Sequence, residues 1–225
     1  MTSIFLHIEK TAGRSINKML DDHFGPDLVL HLYPGALGEN VFDAMLKLRK
    51  GIKLVVGHVD FGVERIFAID APTYFTFVRE PVSRLWSEYA YFKRRNAEVP
   101  KSNWRQKNFI VDECSSALDF CVSESRVRNP MVSRVCGKLF GGDVSLDGAK
   151  SNVEQHFSFV GVTEEMSKSL KLMEGALGGV FAEAPRLNAA PPMPMRRGEQ
   201  GEVERAMRDL DAFDFAFYDW CRSRL

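Results

Sequence analysis

The chain lacks an excess of either charge, a long apolar run and a secretory leader. Among its 225 residues, thirty basic side chains balance thirty acidic ones, so no overall field attracts nucleic acid or an anionic membrane surface. No apolar run reaches the length that crosses a bilayer. The N-terminus has neither the basic segment nor the cleavage site of a signal peptide. We expect a bacterial protein of the cytoplasm, without a membrane span or a nucleic-acid partner, in which any anion site is built locally.

The four cysteines form no CxxC pair and no spacing typical of zinc ligands; they are Cys114, Cys121, Cys136 and Cys221. With 45% hydrophobic residues, a chain of this length can bury a core without disulfide bonds. We therefore expect buried, reduced thiols and no bound metal.

Short apolar runs alternate with amphipathic patterns along the sequence. The predicted strands are 3–8, 27–33, 54–56, 74–78 and 157–162. The predicted helices are one with apolar positions at Ile16, Met19 and Leu20, then 39–50, a helix starting at Pro81, 115–127, 130–140, 146–156, 164–177 and a last one from Val203 to Phe217. This alternation predicts an α/β fold of three layers, with a mainly parallel sheet between helices. We expect one domain over 1–225, with a mobile loop rich in Pro, Gly and Arg at 184–201.

Three segments with chemically active side chains follow predicted strands. They are 9–15, 57–62 and 79–87. Ligands of such sheets bind beyond the carboxyl ends of the strands. We therefore expect the three segments to meet at one edge of the sheet.

The first segment contains Lys10-Thr11-Ala12-Gly13-Arg14-Ser15. A tight turn from strand to helix presents backbone N–H groups and a positive dipole end, which suits a phosphate. Gly13 permits close approach, Lys10 adds charge, and Thr11 and Ser15 add hydroxyls. The lysine comes first and no glycine opens the loop, unlike the Walker A order of ordinary ATP and GTP hydrolases. The residues alone fit equally well a plain strand–helix connection with Lys10 in water.

The third segment starts with Arg79, just before a helix with Pro81 at its first position. A phosphate there meets a guanidinium, backbone N–H groups and the helix dipole. Ser87 lies two turns further on, and spacing alone does not select it. For Arg84 we expect surface ion pairs with glutamates four residues away on either side.

His58 follows the third predicted strand, in the segment Gly57-His58-Val59-Asp60-Phe61-Gly62. A histidine at the mouth of a parallel strand can take a proton from a hydroxyl near neutral pH. The alternative is a histidine that only hydrogen-bonds the backbone at the strand end. Asp60 is the nearest carboxylate, able to orient His58 or act itself. His7 lies inside the first strand, where we expect a core residue.

Two of these segments resemble motifs of the carbohydrate sulfotransferases. Residues 5–15, FLHIEKTAGRS, resemble the loop that binds the 5′-phosphosulfate, usually written PKTAGTS. Residues 79–89 resemble the 3′-phosphate motif RxPxxRxxSxY. Both stand in the family's order at strand-to-helix junctions, and weaker likenesses lie at 129–137, 159–164 and 214–218. The likeness is greatest to the uronosyl and heparan sulfate 2-O-sulfotransferase branch, whose catalytic histidine lies in a GHV segment.

The resemblance implies transfer of a sulfuryl group from 3′-phosphoadenosine 5′-phosphosulfate to a hydroxyl of a carbohydrate or another small hydroxylated molecule, without a metal. It implies catalytic roles for His58 and Lys10. It assigns donor binding to Lys10, Thr11, Ala12, Gly13, Arg14, Ser15, Arg79 and Ser87. Glu9 and Arg14 depart from the pattern, which has proline and threonine there. Glu9 beside an anion is unfavourable unless Arg14 or another basic group pairs with it.

Two other functions fit the residues. An atypical P-loop kinase predicts dependence on ATP and magnesium. A nucleotide-binding module without catalysis explains Glu9 and Arg14 but leaves His58 without a role.

The residues that contact the acceptor are open: the aromatic and basic stretch 89–95 either touches an anionic glycan or is a solvated helix end. The same choice applies to Arg126, Arg128, Arg134 and Lys138, while Arg196 and Arg197 are candidates to close over adenosine 3′,5′-bisphosphate.

Overall fold

The structure is a computed structural model that describes residues 2–33, 51–98, 109–181 and 198–225. The predicted helix at 39–50 lies outside the described residues. So does most of the predicted loop at 184–201, with Arg196 and Arg197.

The centre of the fold is a five-stranded sheet in which all strands are parallel. The strands are β1 (Ser3–Leu6), β2 (Val29–Leu32), β3 (Leu54–Gly57), β4 (Thr73–Val78) and β5 (Phe157–Val162). They are ordered β2-β3-β1-β4-β5. The chain thus builds one side of the sheet after β1 and then crosses to the other, which makes the carboxyl end of β1 the switch point. This confirms the predicted parallel α/β fold.

Helices cover both faces of this sheet. Their bounds are α1 (Gly13–Phe24), α2 (Glu64–Phe67), α3 (Pro81–Glu98), α4 (Phe109–Glu113), α5 (Ala117–Val122), α6 (Pro130–Val135), α7 (Leu146–His156), α8 (Met166–Leu177), α9 (Glu199–Leu210) and α10 (Ala212–Arg222). Short 3₁₀ turns lie at Lys138–Phe140 and Thr163–Glu165. None of the described helices is long and apolar enough to cross a membrane.

The alternation of side chains along the strands divides the core into two layers. Phe5 packs with α1 and α8 on one face, whereas Ile4 and Leu6 pack with α6 and α10 on the other. All three are fully buried. Strands covered on both faces need apolar residues at every position, which explains the continuous apolar runs in the sequence.

Three helix predictions need correction. The helix predicted at 115–127 ends at Val122 because the guanidiniums of Arg126 and Arg128 bind the Cys121 carbonyl, at 3.0 and 2.6 Å. The helix predicted at 130–140 ends at Val135, and Gly137 follows in a left-handed conformation, φ 72°. The predicted last helix is two helices that meet at Asp211.

The predicted mobile loop is also too long at its C-terminal end. Residues 199–201 form the first turn of α9. The side chain of Glu199 is buried and accepts a hydrogen bond from the Ala117 backbone N–H at 3.0 Å. This contact between distant segments fixes the start of the helix, and local composition does not reveal it.

Candidate functional site

The three segments that follow strands meet, as predicted, around one cavity of about 600 Å³. The cavity lies where β1 and β3 end and α1 and α3 begin, beside the switch point of the sheet. Its lining comprises His7, Glu9, Lys10, Ala12, Gly13, Arg14, His58, Arg79, Ser87, Glu88, Tyr91, Phe92, Arg94, Arg95 and Glu98. Five of these side chains are Lys or Arg and three are carboxylates. A local positive site thus exists in a chain of zero net charge.

The loop between β1 and α1 has a strained backbone. Lys10 and Ala12 both have left-handed φ angles, 71° and 65°, although neither is glycine. Such conformations cost about 1–3 kcal/mol each and concentrate at functional sites. The N-cap of α1 is Ala12, whose methyl group cannot accept a hydrogen bond from the first-turn N–H groups. Ala12, Gly13 and Arg14 line the cavity, and the backbone N–H groups at this helix start suit an external anion.

Two loop residues differ from their expected roles. The Thr11 hydroxyl is buried and donates to the Ile8 carbonyl at 2.8 Å, so it holds the loop in shape. At Gly13, a Cβ atom would lie 1.7 Å from Nε2 of His7. Gly13 therefore makes room for a neighbouring ring, in addition to any room it leaves for an anion. Ser15 is buried in the first turn of α1, and Arg14 is exposed at the cavity rim.

Arg79 links the segment at its own position to the loop around Lys10. Its Nη1 donates to the Lys10 carbonyl at 3.2 Å, and its Nε lies 3.9 Å from Oε1 of Glu164. The Nε atom is buried without a hydrogen-bond partner among the described residues. Burial lowers the pKa of Arg79. Ser87 lines the same cavity from α3, so the structure brings together the residues that the two motifs predict.

Lys10 is held at the cavity by an aromatic ring. Its Nζ lies 4.3 Å from the centre of the Tyr91 ring, within the range of a cation–π interaction. Burial lowers the pKa of Lys10 to about 8, in spite of the opposing charge of Glu88. The cation of Lys10 is partly desolvated, and this loss of hydration strengthens its attraction for an anion in the cavity.

His58 is fixed in one tautomer. Its Nδ1 lies 2.8 Å from the His7 carbonyl oxygen, which can only accept, so Nδ1 carries the hydrogen. In the neutral ring Nε2 then has the free electron pair and can take a proton. The side chain is 23% exposed and lines the cavity. The backbone bond expected for a strand-end histidine is thus present, and it leaves Nε2 able to accept a proton.

Glu9 pairs with a basic group, as its position beside an anion site requires. The partner is Arg134 of α6 rather than Arg14. Glu9 Oε1 also lies 3.7 Å from Nδ1 of His58. Burial raises the pKa of Glu9, but the charges of Arg134 and His58 outweigh it, so the pKa lies below its usual value. Glu9 is consequently an ionised carboxylate next to His58.

Arg134, one of four basic residues that the sequence left open between acceptor contact and surface, lies behind the site and pairs with Glu9. Its Nη1 donates to Oδ1 of Asp60 at 2.7 Å and to the His58 carbonyl at 3.2 Å. Asp60 also accepts from the Leu139 backbone N–H at 2.9 Å. Asp60 therefore anchors Arg134 and does not orient the His58 ring. The signal that the sequence offered for this role was a basic residue without an acidic partner close to it in the sequence.

Arg84 also differs from its expected place. It is 2% exposed, so its ion pair with Glu88, at 2.9 Å, is buried rather than on the surface. Its Nη1 reaches the Glu9 carbonyl at 3.4 Å. Glu80 instead caps the start of α3 by accepting from the N–H groups of Val82 and Ser83. Arg84 thus ties helix α3 to the loop after β1.

Comparison with curated proteins shows what this site is similar to. Over 151 residues the chain is 30% identical to uronyl 2-sulfotransferase of Mus musculus, a match that covers 57% of this chain and 34% of that protein. It is 32% identical to heparan sulfate 2-O-sulfotransferase 1 of Xenopus laevis, over 58% of this chain and 39% of that protein. The chain is thus similar, over part of its length, to carbohydrate 2-O-sulfotransferases. No protein family model matches it.

The comparison corrects one expectation, and it covers only part of each matching protein. The expected bacterial origin is wrong, because the 2-O-sulfotransferases that match come from animals, including Caenorhabditis elegans. The matches span about a third to two fifths of the length of the curated relatives. The predicted resemblance to the 2-O-sulfotransferase branch is confirmed.

Proposed function

We propose that this protein is a sulfotransferase that uses 3′-phosphoadenosine 5′-phosphosulfate and transfers its sulfuryl group to a hydroxyl of a carbohydrate. The observation that carries the proposal is the meeting of three groups at one cavity: the loop at Lys10, the second anion-binding residue Arg79, and a histidine with a free Nε2. Relatives named for 2-O-sulfation of uronyl and heparan sulfate acceptors support the class of reaction and of acceptor.

The residues present fit a donor with two separated anionic groups. The first-turn amides of α1 and the cation of Lys10 suit the 5′-phosphosulfate. Arg79, at the start of α3, and Ser87 suit the 3′-phosphate. The bound donor supplies an electrophilic sulfur and a bisphosphate leaving group. Such transfer depends mainly on positioning and charge neutralisation, which Lys10 and Arg79 provide.

The acceptor hydroxyl loses its proton to Nε2 of His58 in this proposal. The imidazolium that forms keeps its Nδ1–H on the His7 carbonyl and has the ionised carboxylate of Glu9 3.7 Å away. A nearby negative charge stabilises imidazolium. Glu9, the departure from the family pattern, thereby has a role as counter-charge, while Arg134 keeps it from repelling the donor.

Three alanine variants test the assignment. Lys10→Ala and Arg79→Ala should each weaken adenosine 3′,5′-bisphosphate binding by about tenfold or more, the value of a lost charge-assisted hydrogen bond. His58→Ala should keep bisphosphate affinity and lose at least about a hundredfold in turnover, the usual contribution of a general base. Calorimetry gives the affinities, and transfer of label from ³⁵S-donor to desulfated glycans gives the turnover.

Matched controls keep these results specific. Lys18→Ala removes an exposed lysine of α1 that pairs only with Asp22 on the surface, and it should behave as the unmodified protein. ATP, with and without magnesium, should not displace the bisphosphate, and a chelator should not reduce transfer. Tight ATP–magnesium binding would indicate the kinase, and full turnover of His58→Ala would exclude His58 as the base.

A further inference from the structure

Neither motif assigns a role to His7, yet its ring lies between Gly13 of the loop and the ring of His58. It projects from the strand end before the loop and is 6% exposed. Its Nδ1 hydrogen-bonds the Tyr33 hydroxyl at 2.9 Å, and the Asn17 amide donates to the same hydroxyl. The ring is therefore held in one orientation by α1 and by the end of β2.

One side of the His7 ring fills the space that Gly13 leaves open. An alanine Cβ at position 13 would lie 1.7 Å from Nε2 and 2.2 Å from two ring carbons. Real Cβ atoms do not approach other atoms so closely. Gly13 is the first residue of α1 and has no positive φ, so its backbone would accept any residue. The packing of His7 is what requires glycine here.

The other side of the ring supports His58. The two ring centres are 4.4 Å apart and their planes are inclined by 34°. Tyr33 contacts His58 edge-on, with ring centres 4.9 Å apart. With the bond from Nδ1 of His58 to the His7 carbonyl, residue 7 holds both the tautomer and the plane of the candidate base.

We propose that His7 is a positioning residue that couples the donor-binding loop to the base: its ring packs on Gly13 on one side and on His58 on the other. The part that concerns His58 as a base rests on the proposed function. A change at Gly13 should therefore reach His58 through His7. A change at His7 should lower turnover without removing a donor contact.

A double-mutant cycle tests the contact without any ligand. Gly13→Ala should lower the unfolding midpoint by roughly 5 °C, as overpacking does in a chain of this size. In the His7→Ala background the same alanine should cost nothing, since the ring it strikes is gone. Gly175→Ala is the matched control, because Gly175 lies within α8 and has nothing within 4 Å of the added Cβ. An equal cost in both backgrounds would overturn the coupling.

The positioning of His58 is read by NMR and kinetics. Long-range ¹H–¹⁵N spectra should show His58 as the Nδ1–H tautomer in the unmodified protein and in His7→Ala, because the backbone carbonyl of residue 7 remains. The ring shifts of His58 should change in His7→Ala, because the neighbouring ring is lost. Turnover should fall about tenfold to a hundredfold, the cost of a base displaced by up to 1 Å, with an unchanged dissociation constant for adenosine 3′,5′-bisphosphate. Unchanged ring shifts of His58 together with full turnover would refute the proposal.

A second variant and a binding measurement distinguish a variant that does not fold from a failure of the proposed function. His7→Asn keeps a hydrogen-bonding partner for Tyr33 and replaces His7→Ala in the cycle if that variant does not fold. It also lacks the Nε2 edge, so it should relieve the clash of Gly13→Ala. If the unmodified protein does not bind the bisphosphate, the proposed function fails, while the stability cycle and the ring shifts of His58 still decide whether His7 couples the two segments.

Discussion

At the scale of single residues, burial decides which charges act. Lys10 and Lys18 both belong to the segment around α1, but Lys18 is exposed and paired with Asp22. Lys10 is largely desolvated and lies over Tyr91. The same side-chain chemistry therefore gives a surface ion pair in one place and a partly desolvated cation at the cavity in the other.

The lowered pKa of Lys10, about 8, predicts how donor affinity varies with pH. Below this pH the lysine is a cation that attracts phosphate, and above it the charge is lost. Bisphosphate affinity measured by calorimetry should fall by about tenfold between pH 7 and pH 9.5, the value of one charge-assisted contact.

Lys10→Arg is the control for that prediction. An arginine stays charged over this range, so the variant should bind with an affinity that is nearly independent of pH. A similar fall in the arginine variant would show that another group titrates.

At the scale of secondary-structure elements, buried carboxylates join segments that are far apart. Asp211, between α9 and α10, is fully buried and accepts from the Arg126 guanidinium and from the Asn129 backbone N–H. Asp214, one turn later, accepts from the N–H groups of Met131 and Val132 at the start of α6. Because α6 carries Arg134, these contacts set the position of the residue that holds Glu9.

Removal of the buried pair should be costly. Asp211→Ala leaves Arg126 buried without its charge partner, which typically costs about 3–5 kcal/mol in the free energy of unfolding. Urea denaturation measures this loss. Glu204→Ala is the control, since it breaks an exposed pair with Arg208 on the adjacent α9 and should cost about 0.5 kcal/mol. Equal losses in the two variants would show that Asp211 is not an anchor.

At the scale of the whole molecule, ligand binding and stability are linked. A ligand that binds only the folded protein at a hundred times its dissociation constant adds about 2.7 kcal/mol. In a chain of this size that raises the unfolding midpoint by roughly 5–10 °C. Adenosine 3′,5′-bisphosphate should do so, as measured by scanning calorimetry.

Adenosine 5′-monophosphate separates the two anion-binding residues in the same assay. It lacks the phosphate assigned to Arg79 and Ser87, so it should raise the midpoint by less than the bisphosphate at equal concentration. The difference should become smaller in Arg79→Ala, which keeps Ser87. Equal shifts by both ligands in the unmodified protein would contradict the role of Arg79.

The sequence by itself determined the α/β class, the parallel strands and the edge at which 9–15, 57–62 and 79–87 meet. These features are local or periodic: apolar runs specify buried strands, and strand ends specify the ligand edge. The ends of the helices were harder to predict from the sequence. The helix predicted at 115–127 stops at Val122 because side chains beyond it bind its carbonyls, a contact that no period in the sequence reveals.

Only the tertiary structure decided the arrangement behind the motifs. Arg134 pairs with Glu9 across 125 positions, and His7 packs between Gly13 and His58. Sequence patterns record which residue types are present, whereas these contacts depend on how strands and helices from distant parts of the chain come within a few ångströms. That packing makes the glycine of the loop a partner of His7 and places an ionised glutamate beside the candidate base.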